Sequence, residues 1–202
     1  MKKIITISRE FGAGGGEIGR RLADSLICQE SFLYDYYDKE LILMAAAQAD
    51  IDVSSLIEWD EKVPVNFGFT QSLFNFYNKP LSEKIFQAQK QVIRKIGEKG
   101  HCVIVGRNAN AILKEYDDCL NVFVRADFNW RLNRMKDRME HLTEAQAADE
   151  IRAIDRVRKK YCTYYTNTSF GSMEQYDIAL NSSRIGVDAC VRAVLALAKE
   201  DN

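Results

Sequence analysis

The sequence predicts an α/β fold, a parallel sheet with helices on both faces. Three observations predict it. Apolar or aromatic runs near residues 4–8, 33–37, 102–106, 120–124 and 176–180 read as short strands and alternate with segments of helical periodicity. The run Cys102-Val103-Ile104-Val105 is apolar throughout, as a strand covered on both faces must be. The first run feeds through a glycine-rich loop into an amphipathic helix, which is the order of a phosphate-binding unit. The first strand is expected at the centre of the sheet.

That first unit carries most of the information. Ile4 to Ile7 is β-branched and largely apolar, the loop holds Gly12, Gly14, Gly15 and Gly16, and Ile18, Leu22 and Leu26 recur at helical spacing. The backbone N–H groups from Gly12 through Ala13, Gly14, Gly15, Gly16 and Glu17 to Ile18 can converge on an anion, with the partial positive charge of a helix N-terminus behind them. Several registers overlap. Gly14-x-Gly16-x-x-Gly19 fits a dinucleotide fingerprint, with Asp35 or Asp38 as ribose ligand, but Arg9 to Ala13 make the loop too long for it. Gly14-x-x-x-x-Gly19 has P-loop spacing with Arg20 and Arg21 where Lys and Ser/Thr belong. With Gly12-Ala13-Gly14 as the loop, Gly15 and Gly16 occupy those two places. No register completes a Walker motif.

Along the chain, Phe32 to Asp38 reads as the second strand and Lys39 to Ala49 as a helix. Residues 50–80 hold Pro64, Pro80, Gly68 and the aromatics Trp59, Phe67, Phe69, Phe74, Phe76 and Tyr77, and read as an insertion that covers the acceptor side. Leu81 to Lys99 is a long helix ended by Gly97 and Gly100. Ala109 to Lys114 is a short helix, Asn129 to Met139 another, and Thr143 to Tyr165 a long one with a capping box from Thr143 to Gln146. An amphipathic helix from Val187 to Lys199 closes the chain.

Composition excludes several classes. The chain has 202 residues, 47% hydrophobic, which suits one domain with a small lid. A net charge of −1 argues against a general nucleic-acid binder. No apolar run reaches membrane-spanning length, so no membrane partner and a cytoplasmic location are the expectations. Cys28, Cys102, Cys119, Cys162 and Cys190 form no C-x-x-C pair, and His101 and His141 are isolated, so reduced thiols and no metal-ligand cluster are expected. A homodimer is left open.

Arginines are concentrated between about 127 and 165. Arg131, Arg134 and Arg138 share one helix face, and Asp155-Arg156-x-Arg158 follows on the next helix. Two such helices can fold over a polyphosphate, since the guanidinium fork grips phosphate oxygens and stays charged.

Together these residues resemble a family. Ser8-Arg9-Glu10-Phe11-Gly12-x-Gly14-Gly15, Tyr37-Asp38-x-Glu40-Leu41-Ile42, Val103-Ile104-Val105-Gly106-Arg107, Asp155-Arg156-x-Arg158-x-x-Tyr161 and Tyr176 to Ser183 are similar, in that order, to motifs of the cytidylate-kinase-like family, over nearly the whole chain. The resemblance implies a single P-loop nucleoside-monophosphate-kinase domain with a five-stranded parallel sheet. It implies transfer of the ATP γ-phosphate, with Mg2+, to a nucleoside monophosphate, pyrimidine in the family. By position, Gly12 to Gly16 would hold the donor phosphates, and Asp38, Arg107 and Asn108 would face the acceptor. Arg131, Arg134, Arg156 and Arg158 would form the lid and its return helix. The chain has Gly14-Gly15-Gly16 where cytidylate kinases have Gly-Lys-Ser, and Gly106-Arg107-Asn108 where they have Gly-Arg-Asp. Arg9, Arg20 or a lid arginine would then replace the lysine, with Arg9 preferred because it enters the loop. A non-catalytic nucleotide- or phosphate-binding module is the alternative, and the arginine-rich lid argues against a dinucleotide oxidoreductase.

Overall fold

The computed structural model describes residues 2–29, 33–38, 40–48 and 79–200. Five parallel strands form one sheet: β1 (Ile4–Arg9), β2 (Asp35–Tyr37), β3 (Cys102–Val105), β4 (Cys119–Arg125) and β5 (Ile178–Asn181). Their order is β2-β3-β1-β4-β5, so β1 is central, and Ile4 pairs with both Cys102 and Cys119. The helices are α1 (Gly15–Gln29), α2 (Glu40–Gln48), α3 (Lys79–Lys99), α4 (Ala109–Ile112), α5 (Phe128–Met135), α6 (Glu144–Thr166), α7 (Ser182–Ile185) and α8 (Val187–Lys199). None of the described helices is long and apolar enough to cross a membrane.

Strand periodicity sorts the core into two layers. Ile5, Ile7, Val103, Val105, Val122 and Val124 pack against Ile18, Leu22 and Leu26 of α1 and Cys190, Val191 and Val194 of α8. Ile4, Cys102, Ile104 and Cys119 face the other way, onto Leu41 of α2 and Phe86, Val92, Ile93 and Ile96 of α3. Burial on both faces is why β3 reads as an unbroken apolar run and β1 as a mostly apolar one, broken at Thr6. A third cluster joins Phe11 of the loop to Leu132 and Met135 of α5 and Ile151 and Ile154 of α6. It seats the two arginine-bearing helices on the loop.

Several expected boundaries move. Gly97 lies inside α3 and does not end it. A Cβ there would meet Leu113 Cδ2 at 2.7 Å, so its glycine lets α3 press against the segment after α4. Gly100, at φ +69°, is the cap, and its N–H donates to the Ile96 and Gly97 carbonyls. β5 begins at Ile178, two residues later than expected, because Asp177 clips the end of the ladder: its N–H donates to Asn121 O at 2.8 Å, and its Oδ2 accepts from Asn121 N–H at 2.6 Å. Asn129 to Met139 divides into α5 and a 3-10 turn, Lys136–Arg138. The capping box of α6 is present, Gln146 N–H donating to Thr143 Oγ1 and Thr143 N–H to Gln146 Oε1. The aromatic insertion from Trp59 to Tyr77 lies outside the described residues.

Candidate active site

The glycine-rich loop leaves the end of β1 and enters α1 at Gly15. Gly14 turns it with φ +86°, a conformation that any Cβ would strain. Neighbouring elements pin the loop from behind. Phe11 N–H donates to Asp155 Oδ1 at 2.8 Å, Arg131 Nη1 donates to Phe11 O at 3.0 Å, and Ser182 Oγ donates to Ala13 O at 2.7 Å. Glu10 ties the loop entry to the sheet, its N–H donating to Val124 O and its Oε2 accepting from Ala126 N–H. The front of the loop is different. Among the described residues, the N–H groups of Gly14, Gly15, Gly16 and Glu17 meet no protein acceptor. Unpartnered donors at the start of a 15-residue helix make an N-terminus of the kind that can accept an anion.

Side chains then surround the mouth of the loop. Arg9 crosses it and donates from Nη2 to Asp38 Oδ1 at 2.9 Å. Asp38 is placed by β2, and Tyr36 Oη donates to its Oδ2. Burial and the charge of Asp38 push the Tyr36 phenol up to about 12, so it stays a donor at neutral pH. On the outer side, Arg134 pairs with Glu17 and lies over the Trp130 ring, its guanidinium beside Gly14.

Beyond Arg9 opens a pocket lined by Ser8, Arg9, Gly106, Arg107, Asn108, Arg158, Tyr161 and Phe170. It sits at the carboxyl ends of β1 and β3, where ligands of open parallel sheets bind. Arg107 and Asn108 hold left-handed φ values of 58° and 55°, directly after Gly106 at 79°. Such backbone costs energy in non-glycine residues and turns the Arg107 side chain into the pocket. Burial pulls the Arg107 guanidinium below its ordinary value, and Arg9 adds to this, while Tyr161 and Asp38 oppose it. Arg158 donates from Nη1 to Arg9 O at 2.8 Å and lies over the Phe11 ring. Burial, then the charge of Arg9, pulls Arg158 down to about 9, with Asp155 and Asp38 opposing. An incoming anion would relieve the repulsion among Arg9, Arg107 and Arg158. Among the described residues, Asn108 Nδ2 is buried with no hydrogen-bond partner.

The expected site residues therefore divide. Arg9, Asp38, Arg107, Asn108 and Arg158 meet around the pocket, and Gly12 to Ile18 form the loop beside it. Arg134 flanks the loop. Arg131 is elsewhere: it is buried, bound to Asp155 Oδ2 at 2.6 Å and near Glu10, and it braces the loop from below instead of reaching into the site. Arg156 is exposed, because helical spacing turns it away from the face that Asp155 and Arg158 share. Arg20 lies over the Tyr36 ring and Arg21 pairs with Asp188 and Glu17. Sequence reading gave no role to Asp155, Glu10, Ser182 or Phe170. Asp155, Tyr161, Glu10 and Ser182 stood in noted motifs, whereas nothing local marks Phe170.

No curated protein sequence matches the chain. Among solved structures, an uncharacterized protein from Eubacterium ventriosum is 25% identical over 98% of this chain and 99% of its own, with a TM-score of 0.72. Shikimate kinase from Bacteroides thetaiotaomicron is 13% identical over 98% of each chain, with a TM-score of 0.56. Shikimate kinase from Acinetobacter baumannii, in complex with shikimate, is 13% identical over 96% of this chain and 92% of its own, with a TM-score of 0.52. At such identities the kinases show the shared P-loop kinase fold. The model of the cytidylate kinase-like family matches residues 4–184, from the start of β1 through the loop, the arginine pocket and both arginine-bearing helices to α7. A match that takes in every element of the site places the chain in a family, and this protein belongs to the cytidylate kinase-like family.

Proposed function

We propose that this protein transfers the γ-phosphoryl group of ATP to a small anionic acceptor, a nucleoside monophosphate. The observation that carries the reading is the meeting of Arg9, Arg107 and Arg158 in one pocket beside the N–H groups at the start of α1. Phosphoryl transfer asks a protein mainly to align two phosphates and neutralise charge, and this site offers donors for each. The ATP phosphates lie along Gly12 to Ile18, flanked by Arg134. The acceptor phosphate lies against Arg107 and Arg158, with Asn108 Nδ2 as a further donor. An acceptor oxygen forms a bond to the γ-phosphorus as the bond to the β,γ-bridging oxygen breaks, and that electron pair leaves on ADP. A phosphate acceptor brings its own negative oxygen, so no side chain need remove a proton.

Among the described residues, no three His, Cys, Asp or Glu side chains gather to hold a metal. Magnesium on the nucleotide's own phosphates fits this site, with Asp38 beside Gly16 as the protein carboxylate in reach. When bound, it would neutralise β- and γ-oxygens.

A second reading, a nucleotide-binding module without turnover, is favoured by Gly15 and Gly16 standing where a lysine and a hydroxyl are usual. One screen separates the two: ATP with each nucleoside monophosphate, followed for ADP and the nucleoside diphosphate. The proposal expects one acceptor to form its diphosphate well above the rate of ATP hydrolysis. Nucleotide binding without product from any acceptor would favour the module.

A further inference from the structure

The β- and γ-oxygens of a nucleotide carry full charges, which backbone N–H groups answer only partially. P-loops ordinarily add a lysine directly after the last loop glycine, and here that position is Gly15. The space beside Gly15 is already filled. A Cβ on Gly15 would stand 2.6 Å from Arg9 Cβ and 2.8 Å from Arg9 Cγ. The nearer atom, Cβ, is held by the backbone of β1 and no side-chain rotation can move it aside. Arg9 then runs over the end of β3, where a Cβ on Gly106 would lie 1.8 Å from its Nη1. Its Nη2 ends on Asp38, whose Oδ2 is 3.4 Å from where Gly16 would carry a Cβ. The guanidinium is thus laid between the helix N-terminus and the arginine pocket. Its stem passes the point where a side chain of residue 15 would begin.

We propose that Arg9 supplies the loop's cation in place of a lysine at position 15, and that Gly15 and Gly106 are glycine so that its side chain can pass. The inference rests on the phosphoryl-transfer reading and assigns one residue within it. The cation has moved from α1 to the end of β1, yet it is delivered over the same stretch of loop. It also gains reach. A guanidinium has five N–H donors, so Arg9 can hold Asp38 and still face oxygens of donor and acceptor at once, which a lysine ammonium cannot match in geometry. Arg158 fixes its starting point by donating to the Arg9 carbonyl. Arg20 and Arg21 are engaged elsewhere, and Arg134 approaches from the outer side of Gly14.

Arg9 and Gly15 then form an exchangeable pair, and calorimetric titration with ATP tests it. Arg9→Met keeps the stem and removes the charge, and should weaken ATP binding by about tenfold or more, the scale of a charge-assisted hydrogen bond. Arg9→Lys keeps the charge but loses the fork, and should bind more tightly than Arg9→Met and more weakly than wild type. Gly15→Lys alone should also bind weakly, because the lysine Cβ and the Arg9 stem compete for one space. The double variant Arg9→Gly/Gly15→Lys should recover affinity to within about threefold of wild type. A salt bridge that merely held Asp38 would not be restored by a lysine at 15. Denaturation curves confirm folding, and if Gly15→Lys does not fold, the Met and Lys variants at position 9 decide. Wild-type affinity in folded Arg9→Met, or a double variant no tighter than Arg9→Met, overturns the inference and leaves the phosphoryl-transfer reading standing. A wild-type protein that binds no ATP overturns both.

Discussion

Arg131 gives the sharpest test of how the loop is supported. Its side chain is 8% exposed, that of Asp155 is 14%, and they meet at 2.6 Å. Asp155 holds Phe11 N–H with its other oxygen, while Arg131 holds Phe11 O, so the pair grips both polar groups of one loop residue. Arg131→Met leaves a buried carboxylate with a single N–H donor. Breaking a buried pair by removing one partner costs about 3–5 kcal/mol, and partial exposure of Asp155 places the expected loss at the lower end, about 3 kcal/mol. Asp155→Asn keeps the Phe11 contact and removes the charge that balances Arg131, with Glu10 at 3.7 Å as a weak substitute, for about 2–3 kcal/mol. The double variant should cost less than the two together by about 1–3 kcal/mol, since the groups share one network. Urea unfolding of the four proteins measures all three quantities. Single variants as stable as wild type within about 0.5 kcal/mol, with a fall in kcat, would refute the reasoning and return Arg131 to the substrate.

Other expectations follow from the same geometry. Burial and the charge of Arg9 pull Arg158 down to about 9, so nucleoside monophosphate affinity should fall as pH rises through about 9. In the unfolded chain Arg158 keeps its proton over that range, so its contribution to stability should rise there, relative to Arg158→Met. Flat affinity up to pH 10.5 would contradict this. Gly97→Ala gains about 1 kcal/mol of helix propensity but drives a methyl into Leu113, which costs about 1–3 kcal/mol, for a net loss of about 0–2 kcal/mol in thermal unfolding. Ser182→Ala removes the donor that holds Ala13 O and should cost about 1–2 kcal/mol, with weaker ATP binding read by the same titration. Burial pushes the Cys102 and Cys119 thiols up to about 12, so neither should react with an alkylating reagent until the protein unfolds.

The fold was legible because each layer writes a local period. The apolar runs of β1 and β3, the glycine loop between strand and helix, and the Thr143 capping box are short-range signals, and all three appear where expected. The site was only partly legible, because its logic is not local. Spacing put Arg131 and Arg134 on one side of α5, yet it could not say that Asp155 waits beneath the first and Glu17 beside the second. Gly97 and Gly15 looked like a helix stop and a missing lysine. Each is instead a place where a distant or preceding side chain, Leu113 or Arg9, comes too close for a Cβ. Ser182 reaches the loop across 169 residues of sequence, which no periodicity records.

The central claim is that one site holds a donor phosphate on the loop and an acceptor phosphate on the arginines. A crystal structure with ADP and the nucleoside monophosphate that turns over fastest tests it most directly. The ADP β-phosphate is expected on the N–H groups of Gly14 to Glu17, with the acceptor phosphate within hydrogen-bonding distance of Arg107 and Arg158 and Arg9 between the two. A nucleotide bound away from the loop, or an acceptor phosphate held by other residues with the arginine pocket closed, would contradict it.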